Sequence, residues 1–318
     1  MNQIKKVLLL REISSFIMLF VVILVFFLIS PLFLSRHNIG VVLEIIPELG
    51  IVAVGVTMLM ISGEFDLSVG SVFAFTPIML IMLVDAGMYT ILALATALLM
   101  AIGIGALHGF ITLTFGIPSF ITTLGGMMIW RGAILLITGG WPPFFPPEIN
   151  THFLVGRIGI LRASIIWYVV ITVVIWIILE RTDFGNWVFA TGGNQFAARA
   201  MGIETNRVKL LNFMLCSFLA GFTGIVQSFR LGTSIPTMGT GLELEAIAAT
   251  VIGGTALAGG VGTVIGTLVG SFLIRVIDNG LVMARAPGYW FRVFIGIATI
   301  SAVILNIYVR ERAKKLRC

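Results

Sequence analysis

The densest polar cluster in the 318-residue chain is the run 63–71 (GEFDLSVGS), which sets Glu64 and Asp66 between two apolar stretches. Carboxylates at membrane depth face a cavity, a partner or an ion path. The run therefore reads either as a helix break on a solute route that controls opening, or as a short solvated turn in which Asp66 or Ser68 caps the next helix. Arg131 lies inside the apolar run 117–138, where pairing with a helix end or an acid of the bundle is the expectation. Arg275 and Asp278, three residues apart, can pair on one helix face. Other chemistries lack their residues. None of Lys5, Lys6, Lys209, Lys314 and Lys315 completes G-x-x-x-x-G-K-[ST], so the chain does not cradle ATP phosphates in that way. His37, His108 and His152 are scattered, no H-E-x-x-H occurs, and no Ser/His/Asp set stands out. Cys216 and Cys318 suggest neither a disulfide framework nor a metal site.

The elements that must position these residues are membrane helices. With 58% apolar and only 11% charged residues, against roughly 25% charged in a soluble domain, a water-soluble fold is excluded. A span needs about 20 mostly apolar residues. The expected fold is all-α: a polytopic transmembrane bundle of about ten spans, near 14–34, 43–62, 69–85, 89–107, 117–138, 164–180, 209–229, 244–258, 261–278 and 290–309, in one domain covering 1–318. The first apolar run is too long for a signal-peptide core and lacks a cleavage site, so it reads as a retained span.

Twelve of the twenty Lys and Arg residues fall in the N-terminus, the 181–209 loop and the tail. These three regions share one side if the span number is even, which puts both termini and that loop in the cytoplasm. The 139–163 loop, with Trp141, Pro142, Pro143, Phe144, Phe145, Pro146 and Pro147, then lies outside. The net charge of +6 reflects orientation rather than nucleic-acid binding.

The stretch 244–258 is short for a span and several others are broken by Gly or Pro. Irregular backbone survives at membrane depth where protein or a water-filled cavity satisfies it, which points to transport. An internal echo points the same way: Ile61, Ser62, Gly63 before Val69–Val72 resembles Ile252, Gly253, Gly254 before Val261–Val264. Gly-rich helix ends that match by chance would look the same. Residues 191–203 (TGGNQFAARAMGI) read as a short helix closed by glycines. Its small apolar face, with Phe196, Ala197, Ala200 and Met201, suits docking into a groove of another protein, or packing as a loop beneath the helices.

Three motifs in this order, GEFDLSVGS (63–71), GGNQFAARAMGI (192–203) and VIGGTALAGGVGT (251–263), resemble the permease subunits of ribose/monosaccharide-type bacterial ABC importers over nearly the whole chain. The family's first motif usually reads GGIDLSVGS, so Glu64 and Phe65 are departures. The resemblance implies the permease fold of such importers in a bacterial inner membrane. It also implies four kinds of partner: a second permease copy or sister chain, a cytoplasmic ATP-binding subunit that holds ATP and Mg, an external solute-binding protein, and a sugar-like solute. No cofactor is expected on this chain itself, and no enzymatic activity.

By the same resemblance, loop 181–208 carries the coupling helix, with Gly193, Asn194, Phe196, Ala197, Ala198, Arg199 and Gly202 at the ATPase contact. Alternating access would follow from ATP-driven closure of the ATPase pair. Candidate path or gate residues are Ser62, Glu64, Asp66, Ser68, Thr122, Thr123 and Asn279. Two other transporters are alternatives: a proton-coupled carrier using Glu64, Asp66, Glu243 and Glu245, and an importer permease for branched-chain amino acids. A membrane-embedded enzyme would need an acid, base or nucleophile set that the sequence does not offer.

Overall fold

The computed structural model describes residues 13–315 apart from 147, 148, 150 and 160. Lys5, Lys6, Arg11, Arg317 and Cys318, and Pro147 of the 139–163 loop, lie outside the described residues. In chain order the helices are α1 (Ile13–Ile29), α2 (Arg36–Ile61), α3 (Val69–Asp85), α4 (Thr90–Phe115), α5 (Ser119–Thr138), α6 (His152–Val155) and α7 (Ala163–Arg181). After them come α8 (Asp183–Gly193), α9 (Gln195–Ala200), α10 (Thr205–Leu231), α11 (Leu242–Ile252), α12 (Val264–Met283) and α13 (Trp290–Lys315). The only described strands, β1 (Arg157–Ile158) and β2 (Leu161–Arg162), form a small antiparallel hairpin before α7.

The bundle is built around α2 and α10. Every residue of α2 from Ile46 to Ile61 is buried, as suits a helix that is apolar on all sides. Small residues let its neighbours close in: a Cβ on Gly224 of α10 would strike the Phe73 carbonyl of α3, and one on Gly105 of α4 would strike that of Phe213. Such close approach is what holds helices together where lipid is as apolar as the side chains. Many large apolar residues of α1, α5 and α7, among them Phe20, Leu136 and Val170, face outward.

Among the described residues six helices, α2, α4, α5, α7, α10 and α12, are long and apolar enough to cross a membrane, and α1, α3 and α13 contain shorter apolar stretches. Each expected span overlaps a helix, with shifted ends. The span expected at 89–107 runs on to Phe115, because the polar His108 is bonded inside the bundle and does not end the helix. The span expected at 244–258 is helical only over the 11 residues of α11. At 1.5 Å per residue that is about 16 Å, half of a bilayer core of about 30 Å. Residues 232–241, which precede it, are irregular backbone.

The two ends of the bundle are distinct. At one end Arg162 Nε meets Glu44 Oε1 at 2.6 Å, Arg230 Nε meets Glu48 Oε1 at 2.6 Å, and Phe144 bridges to Thr233. The 139–163 loop lies here, with the Phe145 ring edge-on to Phe229. At the other end the turn after α2 meets α8 and the segment after α11, and Lys209 of α10 ties it to α9.

Candidate functional site

Residues 62–68 do not form a solvated turn. They fold back into the bundle, leaving Asp66 1% exposed and Ser62 and Ser68 fully buried. Gly63, at φ +90°, ends α2 in the left-handed conformation that glycine adopts at no steric cost. Asp66 Oδ1 accepts from Ser68 N at 2.7 Å and from Ser68 Oγ at 2.6 Å, and Ser217 Oγ of α10 approaches Oδ2 at 3.4 Å. Ser68 holds the cap position of α3 but makes no capping bond with its side chain. Asp66 sits just before that helix, where the positive end of the dipole favours a carboxylate.

The Ser68 oxygen also lies 3.1 Å from His108 Nδ1, and Trp130 Nε1 donates to His108 Nε2 at 3.2 Å. Since Nε2 accepts, the imidazole proton sits on Nδ1 and points at Ser68, whose own proton points at Asp66. The order is Trp130, His108, Ser68, Asp66. Tertiary structure thus brings together a Ser, a His and an Asp that sequence spacing does not connect. The serine stands between the other two, however, whereas a hydrolytic triad needs the histidine there. The network fastens α3, α4, α5 and α10 to one turn. Backbone bonds add to it: Phe65 N donates to Ser119 Oγ at 3.1 Å and Leu67 N to Thr123 Oγ1 at 3.0 Å.

The three motif segments 63–71, 192–203 and 251–263 meet at one backbone junction. Gly260 N donates to the Ile61 carbonyl at 2.8 Å. A Cβ on Gly192 would collide with that same carbonyl, and one on Gly260 would meet Gly193 Cα at 2.5 Å. The echo noted between 61–72 and 252–264 has a structural counterpart. Glu64 N bonds Leu59 O and Gly63 N bonds Met60 O, while Thr255 N bonds Thr250 O and Gly254 N bonds Val251 O, the same glycine cap twice. That cap also closes α3 at Gly87 and α9 at Gly202, so it does not by itself mark a repeat.

The helix expected within 191–203 is divided. Thr191–Gly193 end α8, and Asn194 breaks the chain at φ −158° while its side chain accepts from Ala197 N at 3.0 Å to cap α9. On α9 Phe196 is 84% exposed, with Ala197 and Ala200 exposed beside it, followed by Met201 at 83%. Ala198 turns inward and is buried. Arg199 is exposed yet tied to its own chain, Nε to Thr205 Oγ1 and Nη2 to Asn206 Oδ1, both at 2.7 Å. An open groove of about 600 Å³ flanks this helix, lined by Phe110, Leu113, Arg199, Glu204 and Arg207 among others. Lys209, counted above among loop charges, is buried: its Nζ donates to Glu64 Oε1 at 2.6 Å and to Gln195 Oε1 at 3.1 Å.

Arg131 answers the expectation of a bundle contact. Its guanidinium donates to the carbonyls of Pro236, Met238 and Gly70 at 2.9, 2.8 and 3.1 Å. It thereby satisfies the irregular backbone of 232–241, which enters from the Thr233 end and reaches Gly70, where Gly239 packs against it without side chains between. Arg275 pairs with Asp278 at 3.6 Å as the spacing suggests, and with Glu245 at 3.2 Å.

The remaining candidates are dispersed. Asn279 exchanges hydrogen bonds with Asn38 at 2.8 and 3.0 Å, away from the turn. Thr123 is buried and bonded, and Thr122 Oγ1, one residue before it, finds no partner. His108, Trp130 and Lys209 were not singled out. For the first two no local pattern exists, since they lie 40 or more residues from the turn. For Lys209 the one signal was Glu64, whose departure from the expected motif implies a counter-charge.

A bundle with broken helices and buried acids tied to helix ends is the architecture of a membrane permease. The chain belongs to the family described as branched-chain amino acid transport system / permease component, which matches residues 38–303. It is 34% identical to the ribose import permease protein of Escherichia coli (strain K12), over 93% of this chain and 94% of that protein. It is 32% identical to the xylose/arabinose import permease protein of Sulfolobus acidocaldarius, over 96% and 87% of the two chains. To the autoinducer 2 import system permease protein of Yersinia enterocolitica the figures are 33%, 80% and 71%. No solved structure matches the chain.

Proposed function

We propose that this chain is the membrane-spanning subunit of an ATP-driven ABC importer that moves a monosaccharide or related sugar-like solute into the cytoplasm. The observation that carries the reading is the junction at which α8, the turn after α2 and the segment after α11 meet, with α9 following directly on α8. An exposed apolar helix suited to a cytoplasmic ATPase, α9, is joined through Lys209 to the turn that fastens four helices. ATP and Mg belong to that partner. An external binding protein would present the solute at the opposite end, beside the 139–163 loop, and a second copy or sister permease would complete the pathway.

The sugar class follows from the relatives, whose names specify ribose and xylose/arabinose import over nearly the full length of this chain. Three of the four acids considered for proton coupling hold partners on this chain: Glu64 with Lys209, Asp66 with Ser68, and Glu245 with Arg275. None of these three is free to shuttle protons without breaking a contact. In this conformation Ser62, Asp66, Ser68 and Thr123 are buried and bonded, a role suited to a gate rather than to the lining of an open passage.

The test is to tag the chain, solubilise it from its native membrane and identify what co-purifies. A cytoplasmic ATPase is expected, bound to the wild type and lost from Ala197→Asp. A chain that purifies alone, and takes up solute in vesicles driven by a proton gradient without ATP, overturns the reading.

A further inference from the structure

Contact between α8 and the turn after α2 is steric. Gly192 and Gly193 press against the Ile61 carbonyl and Gly260 with no side chain between. Such a contact transmits compression but not tension. The element that can pull is Lys209. It stands on the second turn of α10, is 6% exposed, and spends two of its three donors on two different elements: Glu64 Oε1 on the turn at 2.6 Å and Gln195 Oε1, the first residue of α9, at 3.1 Å. Gln195 in turn reaches Thr205 Oγ1 at 3.5 Å. In a poorly solvated site an ion pair is strengthened, and separating one partner leaves an uncompensated charge. A displacement of α9 would therefore load the Gln195–Lys209 bond and, through it, the Lys209–Glu64 pair. From Glu64 the path is short, because Phe65 N and Leu67 N are bonded to Ser119 and Thr123 of α5 and Asp66 holds the start of α3.

We propose that Lys209 is a positioning residue of the importer, the bond by which movement of the ATPase-docking helix is transmitted to the turn at 62–68 and so to α3 and α5. The inference rests on the importer reading given above and adds to it the residue through which the two ends of the coupling act. Glu64, a departure from the expected motif, is its obligatory counter-charge.

The experiment uses the full complex reconstituted in proteoliposomes, with solute taken up and ATP hydrolysed measured together. Lys209→Met keeps the aliphatic stem and removes both bonds; Glu64→Gln keeps the shape of the turn and removes the charge. Both variants are expected to hold the ATPase and to hydrolyse ATP, while solute moved per ATP falls roughly tenfold, the size of a typical coupling between distant sites. The exchange Glu64→Lys with Lys209→Glu restores most of that ratio. Should Lys209→Met fail to fold, as judged by its elution as a single species, Glu64→Gln and the exchange carry the test. An unchanged ratio in the folded single variants overturns the proposal. So does loss of the ATPase from them, which would mean the pair only holds α9 in place, and so does an exchange variant that folds but stays uncoupled. If the wild type itself binds no ATPase, the importer reading fails first and this proposal falls with it.

Discussion

Asp66 and Arg131 show how this bundle accommodates charge. An acid 1% exposed is tolerable because a backbone N–H, a hydroxyl and the end of α3 all point at it. Arg131 faces the converse problem, carbonyls of the segment 232–241 that no helix satisfies, and its planar fork reaches two of them, Pro236 and Met238, together with Gly70 on α3. Each carbonyl orphaned in such a site costs roughly 1–3 kcal/mol. Arg131→Met should therefore lower the unfolding temperature of the purified protein markedly, and Arg131→Lys less so, since an ammonium can still serve some of the acceptors. The opposite sign is expected at Asn212. Its side chain on α10 is fully buried with both amide atoms unpartnered, so Asn212→Leu, which keeps the same branched heavy-atom shape and is free of that penalty of about 1–3 kcal/mol, should raise the unfolding temperature.

Among the elements, α9 has two faces with separate duties. Ala197 and Ala200 are exposed and Ala198 is buried. Ala197→Asp should express and fold as the wild type does yet lose ATP-dependent uptake, while Ala198→Asp places a charge inside the loop and should reduce the amount of folded protein. Normal uptake by folded Ala197→Asp would remove α9 from the docking role. The broken element 232–252 carries a related lesson. Its hydropathy suggests a short span, and its 11 helical residues cannot cross a bilayer. The irregular backbone before these residues is held in part by Arg131, 105 residues away in sequence from Pro236, which donates to the Pro236 and Met238 carbonyls.

For the molecule as a whole, the two ends of the bundle predict two compartments. In a background where Cys216 and Cys318 are replaced, a membrane-impermeant maleimide should label Phe196→Cys only in inverted vesicles and Trp141→Cys only in intact cells. Labelling of both from the same side would overturn the assignment of loops 139–163 and 181–208. Span positions were legible because about 20 apolar residues in a row have few other places to go. Helix ends were less so, since His108 looks like a terminus in a hydropathy profile and is an interior residue once Ser68 and Trp130 satisfy it. The short helix α9 was legible from the glycines that close it. Its start was not, because the cap at Asn194 depends on one side chain turning back to Ala197.

An all-helical, many-span membrane chain lacking a phosphate loop of the G-x-x-x-x-G-K-[ST] kind, with its chemistry concentrated in three short motifs, can be read from composition and order, because burial of apolar surface and residue type are local properties. That those motifs converge on a single junction cannot. Nor can the burial of Lys209 against Glu64, the Trp130–His108–Ser68–Asp66 order, or the descent of 232–241 to Gly70. Each joins residues tens to hundreds of positions apart, and their pairing is decided by which helices pack together and at what depth. Such packing rests on close approach at Gly192, Gly224 and Gly260, a property of two surfaces at once rather than of either sequence segment.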